Sequence, residues 1–144
     1  MRIAITSQLG KTKELAEWCC MNYIWMMNHS IWATESAANF IKEVLIGLHK
    51  DLQPGDSDEA IKNLYDSKIS TLLEGDRGGW QQIGAMVACG AIDVLILFCE
   101  DSNIYDQDIQ SLIRLATLYN IPIAINKATA NLVISGMNND DYNK

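Results

Sequence analysis

The chain has 144 residues, 49% hydrophobic and 20% charged, which suits one domain with a real core and is short for two. Eleven basic against eighteen acidic residues give a formal charge of −7, which repels nucleic-acid polymers and anionic membrane surfaces. The longest apolar stretches, near Val94–Cys99 and Leu112–Leu118, are far below the roughly 20 residues that cross a bilayer.

Read in chain order, Arg2–Ser7 alternates as a strand. Met1 to Ile5 lack the pattern of a secretory signal, so the expected compartment is the cytoplasm. Leu15, Trp18, Cys19, Asn22, Trp25 and Met26 recur at helical spacing and predict a helix over Lys11–Asn28. The Trp, Tyr and Met residues of its second half read as core or subunit contact. His29–Thr34 is a second short strand. Ser36 then opens a helix over Ala37–Lys50 with Phe40, Ile41, Val44, Leu45 and Leu48 on one stripe. Gln53–Ser57 breaks the chain and offers Asp56 or Ser57 as the N-cap of a small helix over Asp58–Tyr65. Residues 53–67 read as a surface insertion.

Lys68–Glu74 gives the third strand, Gly75–Gly79 a tight glycine loop, and Trp80–Cys89 a helix closed by a left-handed cap at Gly90. Asp93–Cys99 is an unbroken apolar run, as expected of a strand buried on both faces. Asp106–Tyr119 is an amphipathic helix stopped by Asn120 and Pro122. Ile121–Asn126 gives a fifth strand and Ala128–Ile134 a last helix. The domain is thus expected over residues 1–136, with a polar tail over 137–144. Strands and helices alternate throughout, which predicts an α/β fold: a doubly wound, parallel, three-layer Rossmann-like sheet. In such sheets ligands bind beyond the carboxyl ends of the strands.

Four cysteines without CxxC spacing, and only two histidines, His29 and His49, predict buried reduced thiols and no metal site. No cofactor signature is present. The first strand-to-helix loop offers Ser7, Gln8, Lys11 and Thr12 beside a helix start, a combination that suits a phosphate or carboxylate or, equally, an ordinary cap. The second offers Thr34 and Ser36, with Glu35 opposing an anion. The third, Glu74-Gly75-Asp76-Arg77-Gly78-Gly79-Trp80-Gln81-Gln82, lets a ligand approach the backbone closely through its three glycines, with Arg77 as a fork of donors. The fourth carries Glu100, Asp101, Asp106 and Asp108, of which Asp106 or Asp108 suits a helix cap and Glu100 suits proton transfer. The fifth supplies Lys127. Lys11, Arg77 and Lys127 therefore converge in topology on one edge, and the expected partner is a small phosphorylated metabolite or nucleotide.

The segment Gly78-Gly79-Trp80-Gln81-Gln82-Ile83-Gly84-Ala85 resembles the GGDQQ(I/V)GA motif of the methylglyoxal synthase family. Ile92–Ile96, Ser111–Thr117, Asn120–Asn126, Ala128–Ala130, Met1–Ile5 and Ala33–Thr34 extend that resemblance in order along most of the chain. The resemblance implies a five-stranded parallel sheet, a phosphate pocket at its carboxyl edge and a homo-oligomer, commonly a hexamer. It also implies a reaction that takes dihydroxyacetone phosphate to methylglyoxal and phosphate. Against the family pattern, Trp80 falls where the motif has its aspartate base. Gln8 and Leu9 replace a histidine–aspartate pair, Thr12 replaces a lysine, and Tyr105 falls at or near a histidine. Of the family's phosphate-binding stretch only Thr34 and the hydroxyl of Ser36 remain. Glu100 and Asp108 keep carboxylates in place, Asp76 is a candidate displaced base, and the chain ends short of the family's basic C-terminal segment. Three functions stay open: a binding protein with Trp80 as a stacking wall and no synthase activity, a synthase using Asp76, Glu100 and Asp108, and an oligomeric scaffold whose pocket Trp80 fills.

Overall fold

A computed structural model describes residues 1–138. Five strands form one parallel sheet in the order β3-β2-β1-β4-β5. The strands are β1 (Arg2–Ser7), β2 (Ser30–Thr34), β3 (Ile69–Leu72), β4 (Val94–Phe98) and β5 (Ile123–Ala124). Seven α-helices are described: α1 (Thr12–Met21), α2 (Tyr23–Met27), α3 (Glu35–Leu52), α4 (Asp58–Lys68), α5 (Gly79–Ala88), α6 (Gln107–Leu118) and α7 (Lys127–Met137). Short 3-10 turns at Leu9–Lys11, Gly75–Arg77 and Asp101–Asn103 follow β1, β3 and β4. Among the described residues no helix is long and apolar enough to cross a membrane.

The period of two along the strands builds the layers. Ile3, Ile5, Val94, Ile96 and Phe98 face one core, which α1, α2, α3, α4 and α7 cover. Ala4, Leu95 and Leu97 face the other, covered by Ile83 and Val87 of α5 and by Ile109 and Leu112 of α6. Every residue of β4 is buried, as its unbroken apolar run predicts. Trp18 anchors the larger core. Its ring meets Trp25 edge-on at 5.7 Å and Phe98 at 5.9 Å, and its indole N–H donates to Asn131 at 2.9 Å.

Several expectations need correction. The helix expected over Lys11–Asn28 is two helices, because Asn22 leaves helical geometry (φ −112°, ψ 34°) while its side-chain amide donates to the Trp18 carbonyl at 2.8 Å. The last helix, expected over Ala128–Ile134, runs from Lys127 to Met137, which is buried; residues 139–144 of the expected tail lie outside the described residues. The fifth strand pairs only at Ile123 and Ala124, since Pro122 has no N–H to donate, although its carbonyl accepts from Leu95. Of the four cysteines, all free, Cys19 is buried, Cys20 and Cys99 are half-buried and Cys89 is exposed. Burial pushes the Cys19 thiol up, away from the thiolate.

The segment before β3 is built into the core. Ser57 caps α4 by accepting from the Ala60 amide, and α4 buries Ile61 and Tyr65. His49, 7% exposed, holds this segment to α3, with Nε2 at 2.7 Å from Asp56 and Nδ1 at 3.1 Å from the Tyr65 hydroxyl. Burial and the neighbouring Tyr23 hydroxyl raise the Tyr65 phenol above its ordinary value.

Candidate functional site

The chain order reverses at β1: β2 and β3 lie to one side of it, β4 and β5 to the other. A crevice therefore opens between the carboxyl ends of β1 and β4, the position where doubly wound sheets bind ligands. It holds about 300 Å³. Ser7, Gln8 and Leu9 line it after β1, Glu74, Gly75, Asp76 and Trp80 after β3, and Glu100, Asn103 and Asp106 after β4.

The loop after β3 is shaped by its glycines. Gly78 has φ +108°, a conformation L side chains rarely adopt, and a Cβ on Gly79 would run into the Leu73 carbonyl. The turn brings Trp80 over Gly75, where an added Cβ would meet the indole at 2.6 Å. The indole N–H donates to the Thr6 hydroxyl at 3.0 Å, and that hydroxyl pairs with Thr34 at 2.7 Å. Trp80 thus stands as a wall between this cleft and a second groove of about 320 Å³ between α5 and α6. The two glutamines after it fasten the loop: Gln82 accepts from the Leu73 amide at 2.8 Å, and Gln81 donates to Asp108 at 2.9 Å.

Across the cleft, β1 and β4 are clasped together. Gln8 Oε1 accepts from the Glu100 amide at 2.6 Å, and Gln8 Nε2 donates to the Asn103 carbonyl at 3.4 Å. Glu100 accepts from the Gly10 amide at 2.7 Å and from Asn103 Nδ2 at 3.2 Å. Ser7 pairs with Thr12 at 3.0 Å, Ser36 donates its hydroxyl to Glu74, and Asp106 caps α6 by accepting from the Asp108 amide at 2.9 Å. Most polar groups that the sequence offers to a ligand here are already bonded within the protein.

Of the residues expected to bind or react, the structure brings Ser7, Gln8, Gly75, Asp76, Trp80 and Glu100 to the cleft. Thr12, Thr34, Ser36, Gly78 and Gly79 stand behind it, in hydroxyl pairs or in the backbone of the loop. Asp108 faces the α5–α6 groove. Tyr105 is 86% exposed and does not line the cleft. The expected convergence of three cations does not occur. Lys11 turns to Glu14 at 3.1 Å, while Arg77 and Lys127 are exposed and outside the lining. Lys127 follows the edge strand β5, one strand beyond the crevice, so topology alone overstated its reach. Among the described residues the lining carries four carboxylates, Glu74, Asp76, Glu100 and Asp106, and no lysine, arginine or histidine. Glu74, Leu9 and Asn103 fall within the expected loops but were given no role of their own there. Glu74 sits at the last position before the glycine loop, and that adjacency was the available signal.

The fold and this crevice define a doubly wound, three-layer α/β protein with its cleft at the β1/β4 switch point. No family model matches the chain. Methylglyoxal synthase from Proteus mirabilis is 36% identical over 135 residues, covering 92% of this chain and 76% of that protein. Methylglyoxal synthase from Rhizobium rhizogenes is 48% identical over 75 residues, 51% of this chain and 60% of that one. The crystal structure of methylglyoxal synthase from Elizabethkingia anophelis superimposes with a TM-score of 0.71 at 26% identity, covering 93% of this chain and 76% of that chain. The chain belongs to the methylglyoxal synthase family.

Proposed function

We propose that this member of the family binds a small molecule in the β1/β4 cleft and does not catalyse the synthase reaction. The observation that carries the reading is the lining: Trp80 where the resemblance puts the aspartate base, surrounded by four carboxylates and no cation. Forming methylglyoxal from dihydroxyacetone phosphate requires a base at carbon, acids near the oxygens and a grip on the departing phosphate. An indole N–H is a donor only and takes no proton from carbon. Its donor is in any case committed to Thr6. A cleft of one sign of charge repels a phosphate dianion.

The same lining suits the nucleotide-like part of the expected ligand better than its phosphate. A planar ring can lie against the Trp80 indole, and carboxylate oxygens accept hydrogen bonds from amino and hydroxyl groups. The favoured ligand is therefore a nucleoside-like molecule whose phosphate, when present, stays outside the cleft. An oligomer of this chain, as the resemblance implies, and a place in the cytoplasm belong to the same proposal.

Asp76 and Glu100 both line the cleft, which favours as a second reading a synthase with a displaced base. The two are separated by one pair of assays. Thermal shift against nucleosides, nucleotides, sugar phosphates and inorganic phosphate should show stabilisation by ring-bearing ligands and none by inorganic phosphate. Incubation with dihydroxyacetone phosphate should yield no methylglyoxal above the uncatalysed level. Methylglyoxal formation that Asp76→Asn or Glu100→Gln abolishes would establish the second reading instead.

A further inference from the structure

At the start of α3 a remote carboxylate does the work of the local cap. Thr34, the N-cap residue, makes no side-chain capping bond, since its hydroxyl is paired with Thr6. In the first turn Ser36 turns instead to Glu74, 38 residues away, giving its hydroxyl to one carboxylate oxygen and its amide to the other at 3.4 Å. The Gly75 amide joins them at 3.4 Å. The Glu74 carbonyl accepts from the Arg77 and Gly79 amides, both at 2.9 Å, so its backbone is pinned by the glycine turn. α3 is 18 residues long, and its dipole favours negative charge at this end. Glu74 also lines the cleft, so the residue that takes the Ser36 hydrogen bonds borders the open space.

Resting on the reading above and deepening it, we infer that Glu74 is a built-in anion that occupies the Ser36 donors at the start of α3 and thereby excludes phosphate from the cleft. A phosphate entering here must either displace the carboxylate from Ser36 or lie beside it as a second anion, with no cation in the lining to offset the repulsion. Glu74 thus sets specificity by charge: it keeps the donors satisfied and leaves ligands to be chosen by the indole and the remaining carboxylates.

The test is calorimetric titration of inorganic phosphate into the full chain and into Glu74→Ser, Glu74→Gln and the double variant Glu74→Ser/Ser36→Ala, each checked for native circular dichroism. The wild type should show no saturable binding. Glu74→Ser should gain it, at least about tenfold tighter than any wild-type signal, which corresponds to one charge-assisted interaction. The double variant should lose the gain. Glu74→Gln keeps the side-chain shape and should shift affinity in the same direction, which preserves the test if the serine variant does not fold. A folded Glu74→Ser or Glu74→Gln that binds phosphate no better than the wild type overturns the inference and leaves Glu74 as a remote helix cap. Saturable phosphate binding by the wild type overturns it too. Methylglyoxal formation by the wild type would remove the binding-protein reading and, because that reaction needs a grip on the departing phosphate, the inference with it, whereas a missing gain in the Glu74 variants removes the inference alone.

Discussion

The two ends of the same sheet handle charge in opposite ways. At the amino end, Arg2 at the start of β1 meets Asp93 before β4: Nη2 lies 3.0 Å from Oδ1, and Nε and the backbone amide both donate to Oδ2. That hydrogen-bonded fork holds the Asp93 carboxyl below the usual carboxylate range. At the carboxyl end, Glu74, Glu100 and Asp106 take their hydrogen bonds from hydroxyls and amides, and no cation stands with them in the lining. Neutral donors satisfy the geometry of a carboxylate and leave its charge uncancelled. The amino end is therefore closed electrostatically, and the carboxyl end keeps a negative field that governs what can approach.

The largest expected effect probes how firmly the carboxyl end is fixed. Gly79→Val drives a branched side chain into the Leu73 carbonyl at the turn that carries Trp80. It should cost about 3 kcal/mol, read as a fall in the urea midpoint, because neither backbone segment can yield. A variant as stable as the wild type would mean that the loop adapts and does not hold Trp80 and the carboxylates of the carboxyl end in fixed places. A smaller effect separates the two ends by function. Trp80→Ala should weaken binding of a ring-bearing ligand about tenfold, within the range of single stacking contacts. Asp93→Asn, at the opposite end, should leave that affinity unchanged. Equal losses in both variants would show a general effect on the sheet rather than a contact at the cleft.

What the sequence revealed follows from how local each signal is. β1 spans Arg2 to Ser7 as expected, although Ile3 to Ser7 are all buried rather than alternating, and the apolar run of β4 shows directly as burial on both faces. Gly78 and Gly90 adopt positive φ, as the turn and the helix stop require. These signals live within a few residues. The break at Asn22 was hidden because periodicity averages over a window, whereas one side-chain amide bonding back to Trp18 decides the geometry. The site was less legible for a related reason. Topology identifies which loops share an edge but not where a long side chain ends, so Lys11 was counted with the cleft although Glu14 holds it one helical turn away. Glu74 heads the expected third loop without an assigned role, because that role depends on Ser36, 38 residues distant, and no local pattern encodes that pair.

The smallest effect sharpens the comparison through its sign. Asp93 has a lowered pKa in the folded chain, with the hydrogen bond from Arg2 as the main cause. A carboxyl depressed on folding contributes stability that is present above its unfolded value of about 3.9 and is lost as pH falls through the lower folded value. Asp93→Asn should therefore lower Tm slightly and by a constant amount from neutral pH down to about 5, with the gap closing below about 4. The pair is partly exposed, with side-chain exposures of 46% and 37%, so solvent screening keeps the effect small. Salt gives the contrast directly. Added sodium chloride screens an attraction at the amino end and a repulsion at the carboxyl end, so it should shrink the Asp93→Asn difference. The same salt should enlarge the cost of Glu74→Gln, because screening removes the relief of repulsion and leaves the lost hydrogen bonds. Salt responses of the same sign in both variants would show that the two ends do not differ in charge balance.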